Sequence, residues 1–264
     1  MINKPMIGVA VAVVIIAGGA WYYARSRPPA VPAVPAEVKA PAEAPAEPAL
    51  AHPIPAAAGD TASKPPLPPL NDSDAAIADA LAHVADAAAV SNYLLTDNIV
   101  RRIVATIDNL PRQKAAIEKR PTTPLAGSFL ANGDELHATL DARNFARYEP
   151  LVAVVRKLDM QQLAAVYLRY YPLFQQAYQD LGYPNGYFND RLVQVIDVLL
   201  ATPELRGPIE LTRPNVMYTF ADPAIEARPA GQKLLIRMGP QNAAAIKTKL
   251  TELRTAITAA APKP

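Results

Sequence analysis

M-Q-Q-L-A-A-V-Y-L-R-Y-Y-P-L-F-Q-Q-A-Y-Q-D-L-G-Y-P, residues 160–184, is the stretch that sets the fold class. Leu163, Val166, Tyr167 and Tyr170 recur three and four apart, the period of an amphipathic helix. Asp159 and Gln162 have capping-box spacing at its start. Pro172 should kink or restart the helix, because proline lacks the N–H that the helical ladder needs. Beyond it Leu173, Phe174, Ala177, Tyr178 and Leu181 keep the period, and Gly182 suits the position just past a helix end.

The same period extends both ways. Tyr148, Leu151, Val152 and Val155 predict a helix over about 145–158. Ile99, Val100, Ile103, Val104 and Ile107 give a wide apolar stripe over about 97–110, closed by Pro111. Ile77, Leu81 and Val84 read as a helix to about residue 90, opened by the polar cluster Asn71-Asp72-Ser73-Asp74. C-terminally, helices are expected over about 189–201 and 241–260, the latter with Ile246, Leu250, Leu253 and Ile257 on one face. Residues 232–238 read as a short apolar turn. Strand signals are few. F-L-A-N-G-D-E-L places Asn132-Gly133 in a two-residue hairpin turn, and residues 209–211 and 216–220 are the other candidate strands. The expected fold is mainly α: a compact multi-helix domain over 71–261 with one or two small hairpins and a short disordered tail at 262–264.

Ahead of the domain the composition changes. Residues 6–24, from Met6 to Ala24, carry no charge and would span roughly 28 Å as a helix, close to the thickness of a bilayer core. Trp21, Tyr22 and Tyr23 stand at one end, followed by Arg25 and Arg27. Residues 1–27 therefore read as a single-pass anchor in the lipid bilayer. The rival reading is a cleaved signal peptide, with Gly18 and Ala20 as the small residues before the cut. Residues 28–70 are a Pro/Ala-rich run that cannot bury enough apolar surface to offset its ordering entropy, and read as a disordered linker in which His52 is solvated. Its polyproline II reach approaches about 130 Å. This layout places the domain in the periplasm, tethered to a bacterial inner membrane.

The formal net charge of +2 gives no nucleic-acid footprint. The absence of cysteine removes disulfides, thiolate nucleophiles and zinc–thiolate sites. His52, His83 and His137 lie far apart, with no ligand at helical zinc spacing. No metal, cofactor or catalytic residue is assigned.

R-R-I-V-A-T-I-D-N-L-P-R at 101–112, F-A-R-Y-E-P-L-V at 145–152, Y-P-L-F-Q-Q-A-Y-Q-D-L-G-Y-P at 171–184 and Q-K-L-L-I-R-M-G-P at 232–240 carry a resemblance. In this order they are similar to a bacterial family catalogued as domain of unknown function three-zero-one-four. The likeness covers about 67–257. It implies an N-terminal hydrophobic segment, a Pro-rich stretch and this domain, and no activity, cofactor or catalytic residue.

Aromatic residues crowd into 167–188, with Arg169 and Arg191 nearby. Tyr167, Tyr170, Phe174 and Tyr178 follow helical spacing and are expected in the core. The candidate interaction surface is the following turn: Tyr183, Asn185, Tyr187, Phe188 and Arg191. Tyrosine and arginine are enriched in binding hot spots. Asp222 and Glu226, four apart, fit the paired carboxylates of a glycan-acting enzyme. They fit better as an N-cap and a first-turn acid. The function these features support is a non-enzymatic interaction or scaffold domain of the cell envelope, its partner another envelope protein. The alternatives are a cell-wall glycan-binding module and, behind it, a glycan-acting enzyme.

Overall fold

Apolar periods become helices where their stripes meet. The computed structural model describes residues 50–54, 65–85, 87–134, 137–214 and 217–259. The anchor, most of the linker and the tail lie outside them. Ten helices are seen among the described residues: α1 (Asp74–Ala85), α2 (Ala87–Tyr93), α3 (Ile99–Asn109), α4 (Arg143–Ala146), α5 (Glu149–Arg156), α6 (Met160–Asp180), α7 (Phe188–Leu200), α8 (Pro223–Glu226), α9 (Ala230–Met238) and α10 (Pro240–Thr258). The protein is mainly helical, as the periods predict.

The main core forms where α6 and α10 cross and where α3 lies against α6 and α7. Ile99, Val100, Val104 and Ile107 from α3 meet Phe174 from α6, Ile196 and Leu199 from α7, and Ile246, Leu250 and Ile257 from α10 in one buried cluster. At about 1.5–3 kcal/mol for each fully buried large aliphatic or aromatic side chain, this cluster dominates the stability of the fold.

Several local expectations change. The helix expected over 145–158 is two, α4 and α5. Pro150 has no N–H to donate to the carbonyl of Ala146, so the chain breaks at 147–148 and restarts with proline in the first turn. Pro172, by contrast, does not restart α6, which runs unbroken from Met160 to Asp180. Leu173, Phe174, Ala177 and Tyr178 are buried beyond it, and their packing offsets the lost hydrogen bond. The first expected helix is met by α1 and α2, which lie on either side of residue 86, a position outside the described residues. Residues 232–238 are helical and belong to α9, buried almost throughout.

Four short strands, β1 (Ala131–Asn132), β2 (Ala138–Leu140), β3 (Glu210–Thr212) and β4 (Thr219–Phe220), make one antiparallel sheet in the order β1-β2-β3-β4. The two expected hairpins are thus joined by β2 and β3, with Ala138 opposite Leu211. The tight Asn132-Gly133 turn is not formed. Pairing starts at Asn132 opposite Thr139, and of the Asn132-Gly133 pair Gly133 alone has positive φ, at 93°. The Asp134 carboxylate accepts the His137 N–H at 2.9 Å. Ala138, Leu140, Leu211 and Phe220 of the sheet form a second, smaller core with Ile236 of α9.

No helix among the described residues is long and apolar enough to cross a membrane. Residues 6–24 lie outside that statement.

Candidate functional site

The connection from α6 to α7 is built from glycine, proline and glutamine chemistry. Gly182, at φ 118°, takes the left-handed step that ends α6. Gly186 N–H donates to Tyr183 O at 3.1 Å and closes a turn around Pro184-Asn185. Two glutamines of α6 sew this turn down. Gln175 Nε2 donates to Gly186 O at 2.7 Å, and Gln175 Oε1 accepts the Phe188 N–H at 2.9 Å. Gln179 Nε2 donates to Pro184 O at 3.3 Å. A Cβ on Gly186 would stand 2.9 Å from the Tyr178 ring, so the turn and α6 touch where only glycine fits.

Behind the turn lies a buried charge. Asp108, near the end of α3, is 1% exposed. Its carboxylate accepts from Arg112 Nη2 at 2.6 Å, from Arg191 Nε at 3.1 Å and from the Tyr183 hydroxyl at 3.2 Å. Arg191 Nη2 also donates to the Asp108 carbonyl at 2.7 Å. Two guanidinium groups therefore share one carboxylate, which ties α3 to α7 and to the turn. The carboxylate beside Arg112 raises the pKa of that guanidinium above its ordinary value. Tyr183 stacks on Tyr178 with centroids 4.6 Å apart, and burial pushes the Tyr178 hydroxyl pKa up.

The five candidate surface residues separate into three groups. Tyr183 and Arg191 meet at Asp108. Phe188 is fully buried and stacks on Phe174 at 5.8 Å, so it is core and leaves the candidate surface. Asn185 and Tyr187 are exposed on the turn. Tyr167, Phe174 and Tyr178 are buried and Tyr170 packs half-buried against the same core, as helical spacing predicts. Asp108 and Arg112 were not singled out by sequence reading. The signal was there: Asp108 falls one turn after Val104, on a stripe that is otherwise hydrocarbon.

Three large apolar side chains are exposed among the described residues: Leu50, Leu181 and Tyr187. Leu181 and Tyr187 flank the turn. Leu50 stands next to Ala51, whose N–H donates to Asp190 in the first turn of α7.

Other charged candidates have structural partners. The Asp222 carboxylate accepts the Ala224 N–H at 2.7 Å and caps α8. Glu226 accepts the Phe220 N–H at 3.0 Å and pairs with buried Lys233 at 2.7 Å, locking β4 to α9. His83 and His137 are exposed, each beside an aspartate of its own segment. Among the described residues no three His, Cys, Asp or Glu side chains converge as a metal site. A cavity of about 70 Å³ lies between α1, α3, α6 and α7, walled by Ile77, Leu81, Ile103, Ile107, Leu163 and neighbours. Its walls are almost wholly apolar.

Chemically, the Asp108 cluster is a rigid hub. Its carboxylate already receives three side-chain donors. What it presents outward is the half-exposed Arg112 and, across the turn, Tyr187. No curated protein and no solved structure matches the chain. The model of the family described as "Protein of unknown function (DUF3014)" matches residues 99–254, from the first residue of α3 into α10. That is the family to which the four quoted motifs pointed, and the chain belongs to it.

Proposed function

We propose that this chain is a membrane-tethered protein of the bacterial cell envelope whose helical domain binds another envelope protein through the α6–α7 turn. The observation that carries the reading is the placing of exposed Leu181 and Tyr187 at the two ends of one turn that the Asp108 hub ties to α3 and α7. Exposed apolar groups on a preorganised support bind without a large ordering cost. The uncharged run 6–24 and the Pro/Ala-rich run after it support a single-pass anchor and a spacer, with the domain on the periplasmic side. Glycan of the cell wall is the second ligand class. The exposed Tyr187 ring and the exposed Asn185, two residues before it, favour it, since a sugar ring stacks on an aromatic face and needs polar groups at its edge.

In-cell crosslinking of the full-length protein, followed by affinity purification and mass spectrometry, tests the first reading. One recurrent envelope protein is expected, reduced at least fivefold by Leu181→Ser with Tyr187→Ala. Recovery unchanged in that variant would overturn the assigned surface. Sedimentation with peptidoglycan, lost in Tyr187→Ala, would favour the glycan reading instead.

A further inference from the structure

Residues 50–54, Leu-Ala-His-Pro-Ile, come from the proline-rich run, yet they lie on the domain at the start of α7. Asp190 takes two successive main-chain donors. Ala51 N–H reaches Oδ2 at 3.0 Å and His52 N–H reaches Oδ1 at 2.6 Å. Asn189 Nδ2 donates to the His52 carbonyl at 3.0 Å. Three consecutive-backbone polar groups are thus held by two adjacent side chains. Asn189 is fully buried, and its amide is set by the Tyr167 hydroxyl, which donates to Oδ1 at 3.1 Å. The clamp is therefore anchored in the core, and His52 is half-buried rather than solvated.

The sequence of the segment fits this grip. Prolines 48 and 53 bracket A-L-A-H, so both donors exist where the surrounding run often lacks them. Pro53 biases His52 to the extended conformation that presents N–H and C=O outward. Side chains make no such demand, so the recognition is of main chain. The chain is also caught downstream: Pro65 O accepts from Arg169 Nη2, and Leu70 is buried.

We infer that the Asn189–Asp190 pair is a main-chain peptide-binding site and that residues 50–54 are its ligand in cis, a releasable strap. Its ligand class is an extended peptide with two adjacent N–H donors followed by proline. This inference stands apart from the envelope reading, because it needs neither membrane nor partner. The strap is joined to the domain by residues 55–64, so its effective concentration at the clamp is on the order of millimolar. A peptide in trans must compete with that.

The full-length chain in detergent tests it. In the wild type, hydrogen exchange at Ala51 and His52 is expected to be at least tenfold slower than in the free peptide of residues 47–57. Asp190→Ala should abolish that protection while the amides of Val195 and Ile196 stay protected. The A51P/H52P double variant removes both donors and leaves the domain untouched. Labelled peptide 47–57 should bind this variant at least tenfold more tightly than the wild type, and should not bind it once Asp190→Ala is added. Unprotected Ala51 and His52 in the wild type, or peptide binding indifferent to Asp190, would sink the proposal.

Discussion

Asp108 is the residue on which most of the candidate site depends. Removing the carboxylate strands Arg191, whose side chain is largely buried, without its counter-charge. Asp108→Ala should destabilise the domain by about 3 kcal/mol, the scale of breaking a buried pair, and Asp108→Asn by less. Urea denaturation checks both. A second residue-scale prediction concerns alkali. Burial pushes the Tyr171 hydroxyl up to about 12, from an ordinary value of 10. The folded state thus holds this proton more tightly than the unfolded one. The contribution is complete below about pH 10 and is lost as pH rises toward 12. The urea midpoint of Tyr171→Phe should therefore fall less steeply than the wild type's between those values. At this scale the sequence showed the caps. Asp159 and Asp222 do accept helix N–H groups, as their positions predict. Asp74 shows the limit: it opens α1, but its carboxylate also accepts the N–H groups of Asn98 and Ile99 at the start of α3. No local pattern encodes a partner that far along the chain.

Elements were legible where a period ran long and blurred where two local rules competed. The Asp159 cap of α6 is a local feature, and Asp159→Ala should cost about 1 kcal/mol, read as a shift in thermal unfolding. Proline shows the competition. Pro150 divides α4 from α5, while Pro172 leaves α6 whole, although buried side chains follow both prolines. The joint between α9 and α10 rests on Gly239, at φ 82° and ψ 161°. A Cβ there would stand 2.5 Å from the Phe145 ring. Gly239→Ala should thus cost about 2 kcal/mol or more, from backbone strain and the displaced ring together. Chemical denaturation measures it.

At the scale of the whole molecule, the described residues form two cores with one helix common to them. Leu234, Leu235 and Met238 of α9 lie in the larger core, while Ile236 lies in the smaller one. The two should unfold together. Leu235→Ala and Ile236→Ala are both expected to lower a single transition, by roughly 2–5 kcal/mol for such deletions. Far-UV and near-UV circular dichroism should then give coincident curves, and separate midpoints would mean independent cores. By itself the sequence determined the helical class, the positions of most helices, the aromatic core of α6 and the family, because each is written in short-range period or in motif order. The tertiary structure alone decided that two hairpins form one sheet, that Phe188 is core, that Asp108 gathers Arg112, Arg191 and Tyr183, and that residues 50–54 are held by Asn189 and Asp190. Those contacts join residues tens of positions apart. Their free energy depends on burial that exists only after the helices have packed, and no periodicity along the chain carries that information.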